Sequence, residues 1–250
     1  MLPIQLQIER WAAWAPGLES QEAWLQWLRN GGEPMTSAGA TPPLAEMPAM
    51  MRRRIEPLGR VALQAAYWAQ GPEPTGPVVL AARWGEMARS VEMLQQLAAG
   101  EALSPTAFSL SVHNAIGALF SIARKDKHNY QAVSAGEHSL EAGFMEAAGL
   151  IADGAERVLL VFFDCPLPEI YSQFADEDAT RFPYALACML SAAASGAGIG
   201  LDTQAAAGIA PQAMPSNFEL MHFLLAPGSG TAQALCRSSS AGRWTWQRAA

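Results

Sequence analysis

Cysteine is scarce. The chain has three in 250 residues, Cys165, Cys188 and Cys236, too few and too scattered for a disulfide framework or a zinc site. That scarcity fits a reducing compartment. Positive charge is short as well: 16 Lys and Arg against 23 Asp and Glu leave a formal charge of −7. Phosphate binding needs a basic surface, so a general nucleic-acid binder is excluded. Long apolar runs are also missing. No stretch reaches the roughly 18 residues of a membrane span. Residues 185–199 come nearest, and Ser and Gly interrupt them. The opening MLPIQLQIERWAAW carries Glu9 and Arg10 early and has no basic segment ahead of an apolar one, so no secretion signal is expected. These absences together predict a cytoplasmic protein with no metal and no cofactor.

Half of the residues are hydrophobic. A chain of this length and composition buries a full core, and one domain over 1–250 is expected. Residues 4–14 read as a strand. Ser20 caps a helix, QEAWLQWLRN, that Gly31-Gly32 ends, with Trp24, Leu25, Trp27 and Leu28 on one side as packing residues. Residues 33–49, rich in Pro, Ala, Gly and Thr, read as a loop. Arg52, Arg53 and Arg54 form the dense basic run, read as a solvated helix entrance or as a patch for an acidic partner. Pro57 opens a helix whose apolar face is Leu58, Val61, Ala65 and Trp68.

Further on, 78–82 read as a buried strand and 86–99 as an amphipathic helix. Ser104-Pro105 leads into a helix over 106–124. Residues 132–135 are small and extended, and 138–153 form a helix with almost no polar face. RVLLVFFD, 157–164, is a strand covered on both faces. Residues 165–182 are a polar excursion, 183–190 another buried strand, and 196–200 a turn after it. In the tail, Asn217 caps a helix, FELMHFLLA, and 232–237 pairs with 243–248 as a hairpin. Strands alternating with helices define an α/β protein: about five strands in a mixed sheet with helices on both faces, plus a C-terminal helix and hairpin. The core spans 50–195, and 205–250 fold over it as a cover.

The densest chemical signal lies between 104 and 143. A small-residue strand runs into Ser134-Ala135-Gly136-Glu137 and then a hydrophobic helix, the layout of a nucleophile elbow. The start of such a helix offers unpaired N–H groups and the positive end of its dipole, which would activate a cysteine. Glu137 sits there instead, stabilised as an anion and poorly nucleophilic. Ser134-x-x-Glu137 also has the spacing of a capping box.

The segment SP-x-x-F-x-x-S-V-H-N (Ser104, Pro105, Phe108, Ser111, Val112, His113, Asn114) and SAGEHSLEAGFMEAAGLIADGAERVLLV after it resemble the N-terminal half of the β-ketoacyl synthases, of thiolase-like fold. The resemblance covers roughly 50–195 and is good over 104–163. Its register puts Glu137 on the catalytic cysteine, and a one-residue slip puts Gly136 there; neither is a thiol. His138 adjoins it, Ser139 falls on the elbow's second serine, and Leu140 replaces a glycine usual in the family. A synthase continues into a second half that brings two catalytic histidines. This chain is too short for it, and His113, His128, His138 and His222 do not fill those roles. Buried thiols elsewhere do not replace the nucleophile.

The resemblance therefore implies no catalytic residues. It points to a truncated chain-length-factor type of subunit, of the aryl polyene or type II polyketide kind. Such a subunit pairs as a heterodimer with a full-length β-ketoacyl synthase, shapes its acyl tunnel, and meets an acyl carrier protein indirectly. It implies tunnel and interface roles for Ala107, Phe108, Ser111, Val112, Asn114 and Ala115. Phe108 and Val112 read equally as core residues. It implies a dimer-edge strand at Tyr130, Gln131, Ala132, Val133 and Ser134, and a carrier-protein patch at Arg52–Arg54. A malonyl-carrier-protein decarboxylase and an unrelated stand-alone α/β enzyme or binding module are the alternatives. No G-x-S-x-G elbow or phosphate loop supports the last.

Overall fold

A computed structural model of the protein describes residues 4–32, 40–175, 179–194, 197–205, 214–226, 233–239 and 242–249. Part of the loop expected over 33–49, Gly196, residue 232 and the hairpin turn at 240–241 lie outside the described residues.

In chain order the elements are β1 (Ile4–Trp14), α1 (Gln21–Arg29), α2 (Ala49–Arg52), α3 (Pro57–Gln70), β2 (Val78–Ala82), α4 (Met87–Ala98), α5 (Pro105–Ser109), α6 (Ala115–Arg124), β3 (Tyr130–Val133), α7 (Ser139–Ala152), β4 (Val158–Asp164), β5 (Tyr184–Ala192), β6 (Ile199–Gln204), α8 (Asn217–Leu225), β7 (Ala234–Ser239) and β8 (Gly242–Arg248). One mixed sheet joins the strands in the order β3-β2-β4-β5-β1-β6-β8-β7. β2 runs parallel to both β3 and β4. The other pairings are antiparallel.

Strand alternation divides the core in two. Val79, Ala81, Leu160 and Phe162 face α7 and the cluster that includes residues of α1 and α8. Val78, Leu80, Leu159, Val161 and Phe163 face α3 and α6. β2 and β4 are buried along their whole lengths, as strands covered on both faces must be. The tryptophans of α1 serve packing: Trp24 donates from Nε1 to the Leu18 carbonyl at 3.0 Å, and Trp27 packs edge-on against Trp24, Phe182 and Phe218.

Five expectations are corrected. The sheet has eight described strands rather than about five. β6, IGLDTQ, is only half apolar and reads as a turn, yet it pairs with β1 and β8 and so joins the tail hairpin to the sheet. The helix expected over 106–124 is broken into α5 and α6. The Ser109 and Ser111 hydroxyls donate to the Thr106 and Phe108 carbonyls at 3.0 and 2.8 Å, a local alternative to the helical ladder. Ser216, not Asn217, caps α8, in a full capping box with Glu219. Trp68 is 39% exposed rather than part of the buried face of α3.

α7 lies hard against the sheet. A Cβ on Gly143 would come within 2.7 Å of Leu160 Cδ1 and 2.9 Å of Ala81 Cβ. The sheet's far end reaches the same helix: Phe144 meets Trp246 edge-on at 5.0 Å, and Glu141 pairs with Arg237. The tail hairpin thus packs on α7, while α8 packs beside α1.

Two glycines of α7 give opposite predictions. Gly149 has nothing within 4 Å of its missing Cβ. Gly149→Ala should raise stability by about 0.5–1 kcal/mol through helix propensity. Gly143→Ala should lower it by about 1–3 kcal/mol through overpacking. Denaturant midpoints at unchanged slope measure both.

Candidate functional site

The elbow is present, built differently from its sequence reading. After β3 the chain makes a 3-10 turn at Gly136–His138 before α7 starts, with His138 as N-cap. Gly136 has φ +58°, the left-handed region where a Cβ would cost about 1–2 kcal/mol. Ser139 Oγ accepts from the Ala135 N–H at 3.0 Å and donates to the Gly136 carbonyl at 2.7 Å. Ser134 Oγ donates to the Arg83 carbonyl at 2.9 Å. The capping box expected between Ser134 and Glu137 is therefore not formed. The inserted turn moves the helix start to Ser139, beyond the box spacing, and Ser139 ties the turn instead.

The Glu137 side chain is 28% exposed, with its Oε1 3.9 Å from His138 Nε2. Its backbone carbonyl accepts from Arg237 Nη2 at 3.3 Å. Beneath it lies a polar cluster that sequence reasoning missed. Arg237 Nη1 donates to Glu141 Oε1 at 2.6 Å, with both side chains at 0% exposure. Arg237 Nε donates to the Pro215 carbonyl at 2.8 Å. His138, also buried, places Nε2 2.8 Å from Ser239 Oγ and Nδ1 3.7 Å from Glu141 Oε1. Its ring lies 6.0 Å from that of Trp244. Among the described residues, His138 Nδ1 and Glu141 Oε2 have no hydrogen-bond partner. The available signal was weak: Glu141 is one of two glutamates in a mostly apolar helix.

The cysteines do not supply a nucleophile here. Burial, helped by Asp164 and Glu86, pushes the Cys165 thiol up to about 12, and burial alone raises Cys188. Cys236 is exposed on β7. No group of three or more His, Cys, Asp and Glu suited to a metal occurs among the described residues. No helix among them is long and apolar enough to cross a membrane.

Of the residues assigned to tunnel and edge, Asn114 and Tyr130–Val133 line one groove. β3 is the end strand of the sheet. A groove of about 530 Å³ runs along it, lined by His113, Asn114, Tyr130, Gln131, Ala132 and Val133. Ser134 lies just past the strand. Phe108 is 64% exposed and Val112 47%, so neither is a core residue. Ala107 and Ser111 are half-buried, Asn114 is exposed, and Ala115 is buried. The His113 ring reaches the Val133 carbonyl at 3.3 Å and packs where a Cβ of Gly85 would stand, holding the α5–α6 break to the edge. Nearby, Glu86 accepts from the Gly59 N–H, and burial and then Glu56 raise its carboxyl to about 7.

The basic run is split. Arg52 turns inward, donating to the Pro43 and Leu44 carbonyls, while Arg53 and Arg54 stay exposed.

Breaking the buried pair should be costly. Arg237→Leu or Glu141→Leu should each destabilise by about 3–5 kcal/mol, since one buried charge is left alone. The double substitution should recover most of that loss in a double-mutant cycle read by chemical denaturation.

Comparison with known proteins places these features. Residues 24–247 match the family described as "Beta-ketoacyl synthase, N-terminal domain". Among solved structures, one chain of the ketosynthase ApeO in complex with its chain length factor ApeC, from Xenorhabdus doucetiae, is 29% identical. The TM-score is 0.81, over 98% of this chain and 99% of that one. A chain of the ishigamide ketosynthase/chain length factor is 16% identical, TM-score 0.63, over 81% and 68%. A chain of AntDE:AntF, a type II acyl-carrier protein in complex with its ketosynthase, is 14% identical, TM-score 0.56, over 76% and 63%. The last two speak to fold alone. No curated protein sequence matches. The chain belongs to the β-ketoacyl synthase N-terminal domain family, and its fold is thiolase-like.

Proposed function

We propose that this member of the β-ketoacyl synthase N-terminal domain family is a chain-length-factor-like partner of a full-length β-ketoacyl synthase. It leaves the condensation to that synthase and helps shape the tunnel for the growing chain in polyketide-like, aryl polyene-type biosynthesis. The observation that carries the reading is the open end of the sheet. Among the described residues β3 leaves one side of its backbone unpaired, and the exposed Phe108 and Val112 precede His113, which binds the edge at Val133. A bare edge next to apolar side chains is a surface that a second chain covers.

Two further points support it. The family resemblance sets Glu137, or with a one-residue slip Gly136, against a synthase's cysteine, and neither is a thiol for the condensing step. The matched chain of the ApeO–ApeC complex is covered over 99% of its length, so a chain of this size has a place in a ketosynthase complex. The partner's β3-equivalent strand would extend the sheet across the interface at Tyr130–Val133. Ala107, Ser111 and Ala115, at the α5–α6 break, would face the shared tunnel. Arg53 and Arg54 remain the exposed basic residues available to an acidic carrier protein.

Co-expression with a cognate synthase should give a stable one-to-one complex by size-exclusion chromatography with light scattering. Phe108→Ala should weaken it by ~10-fold or more, from the roughly 1.5–3 kcal/mol of a buried Phe, while leaving the melting temperature of the free chain unchanged. No complex with any synthase would rule the reading out. Ala107→Trp or Ser111→Trp should shorten the products of the complex, measured by mass spectrometry. Unchanged products from an intact complex would remove the tunnel role.

A further inference from the structure

Ser239, His138 and Glu141 come together from β7, the elbow turn and the first turn of α7, with 101 residues separating the serine from the histidine. The hydroxyl and the ring are in contact at 2.8 Å. The tautomer follows from the other side of the ring. Nδ1 is 3.7 Å from Glu141 Oε1 and has no other partner among the described residues. A lone pair there would face a buried carboxylate, so the proton sits on Nδ1. Nε2 then accepts from the Ser239 hydroxyl, the orientation a general base needs. Glu141 is held by Arg237 at 2.6 Å, which fixes the carboxylate under the ring. Trp244 packs beside the imidazole.

We propose that Ser239 is an acyl-accepting nucleophile, with His138 as its general base and Glu141 as the positioning residue, and that the site hydrolyses acyl thioesters or esters. Ser239 Oγ attacks the carbonyl carbon while its proton passes to His138 Nε2. The new C–O bond forms, the C–S bond breaks, and the departing thiolate takes that proton. Water repeats the sequence on the acyl-serine, releasing the carboxylic acid and restoring the hydroxyl. No oxidant or further reactant is required. Glu137 also faces the base, with its Oε1 3.9 Å from His138 Nε2, and condensation stays with the partner. Only the choice of thioesters as substrate rests on the function proposed above.

The test is covalent labelling of the isolated chain with a fluorophosphonate probe, followed by peptide mass spectrometry, together with hydrolysis of a p-nitrophenyl acyl ester and of an acyl-pantetheine thioester. The expected result is a single adduct on Ser239, absent in Ser239→Ala, and a rate at least ~100-fold lower in His138→Gln. The labelling rate should rise with pH, as general-base activation of a hydroxyl requires. Glu141→Gln should change that pH profile, which mere loss of packing would not. Absence of an adduct on Ser239 in the folded chain, alone and bound to a synthase, overturns the proposal. So does a labelling rate that is independent of pH, which remains readable if His138→Gln does not fold. Ester hydrolysis without thioester hydrolysis would keep the nucleophile and overturn the thioester assignment. Complex formation is measured separately, so either reading can fail without the other.

Discussion

The contact between Arg237 and Glu141, 2.6 Å long with neither side chain exposed, is the constraint on which the architecture turns. α7 is apolar around most of its circumference and lies on the sheet through Gly143, Ala147 and Ala148. Its opposite side needs a lid. β7 and β8 provide one, and the ion pair fixes where they land. Two charges out of water are a poor source of net stability compared with a hydrophobic pair. Their value here is registration: an arginine that must find a buried carboxylate allows the hairpin one position. Trp246 against Phe144 then supplies the apolar burial. Arg237 also donates to the Glu137 and Pro215 carbonyls, so the same guanidinium ties the elbow and the approach to α8 to the lid.

That lid makes the two ends of the sheet unlike each other. At one end β7 and β8 fold back on the helix and hold Trp246 completely buried. At the other, β3 is left bare with Phe108, Val112 and Ile122 exposed nearby on α5, α6 and the break between them. The chain has satisfied its central helix internally and left its edge open. A protein that only needed to be soluble would blunt such an edge with charge or proline. YQAV carries neither.

How much of this the sequence disclosed depends on the range of the interaction involved. Strands buried on both faces, such as β2 and β4, are legible because their apolar runs are continuous. The capped helix α1, the tail hairpin and the edge position of β3 were legible too, the last through the family resemblance. The break at 110–114 was hidden because serine is neutral in helix propensity; only the tertiary pull of His113 on Val133 makes its hydroxyls decide the matter. β6 was hidden because half its residues are polar. The Glu141–Arg237 pair spans 96 residues, and nothing local marks either member as buried. Ser134 and Glu137 misled in the other direction: the capping-box spacing was right, and a 3-10 turn placed the helix start elsewhere.

The elbow therefore keeps its shape without help from the residue at its tip. Ser139 bridges Ala135 and Gly136, Gly136 supplies the left-handed backbone, and Ser134 anchors the strand end to Arg83. None of these uses the Glu137 side chain, whose part in the scaffold is its carbonyl. A position held by its neighbours is free to change chemistry, so the turn does not depend on which side chain stands at 137. The positive charge nearest to it is already engaged by Glu141, one turn further into the helix. Glu137 thus gains little from the cluster below and remains partly in solvent, while the buried carboxylate governs the elbow from beneath.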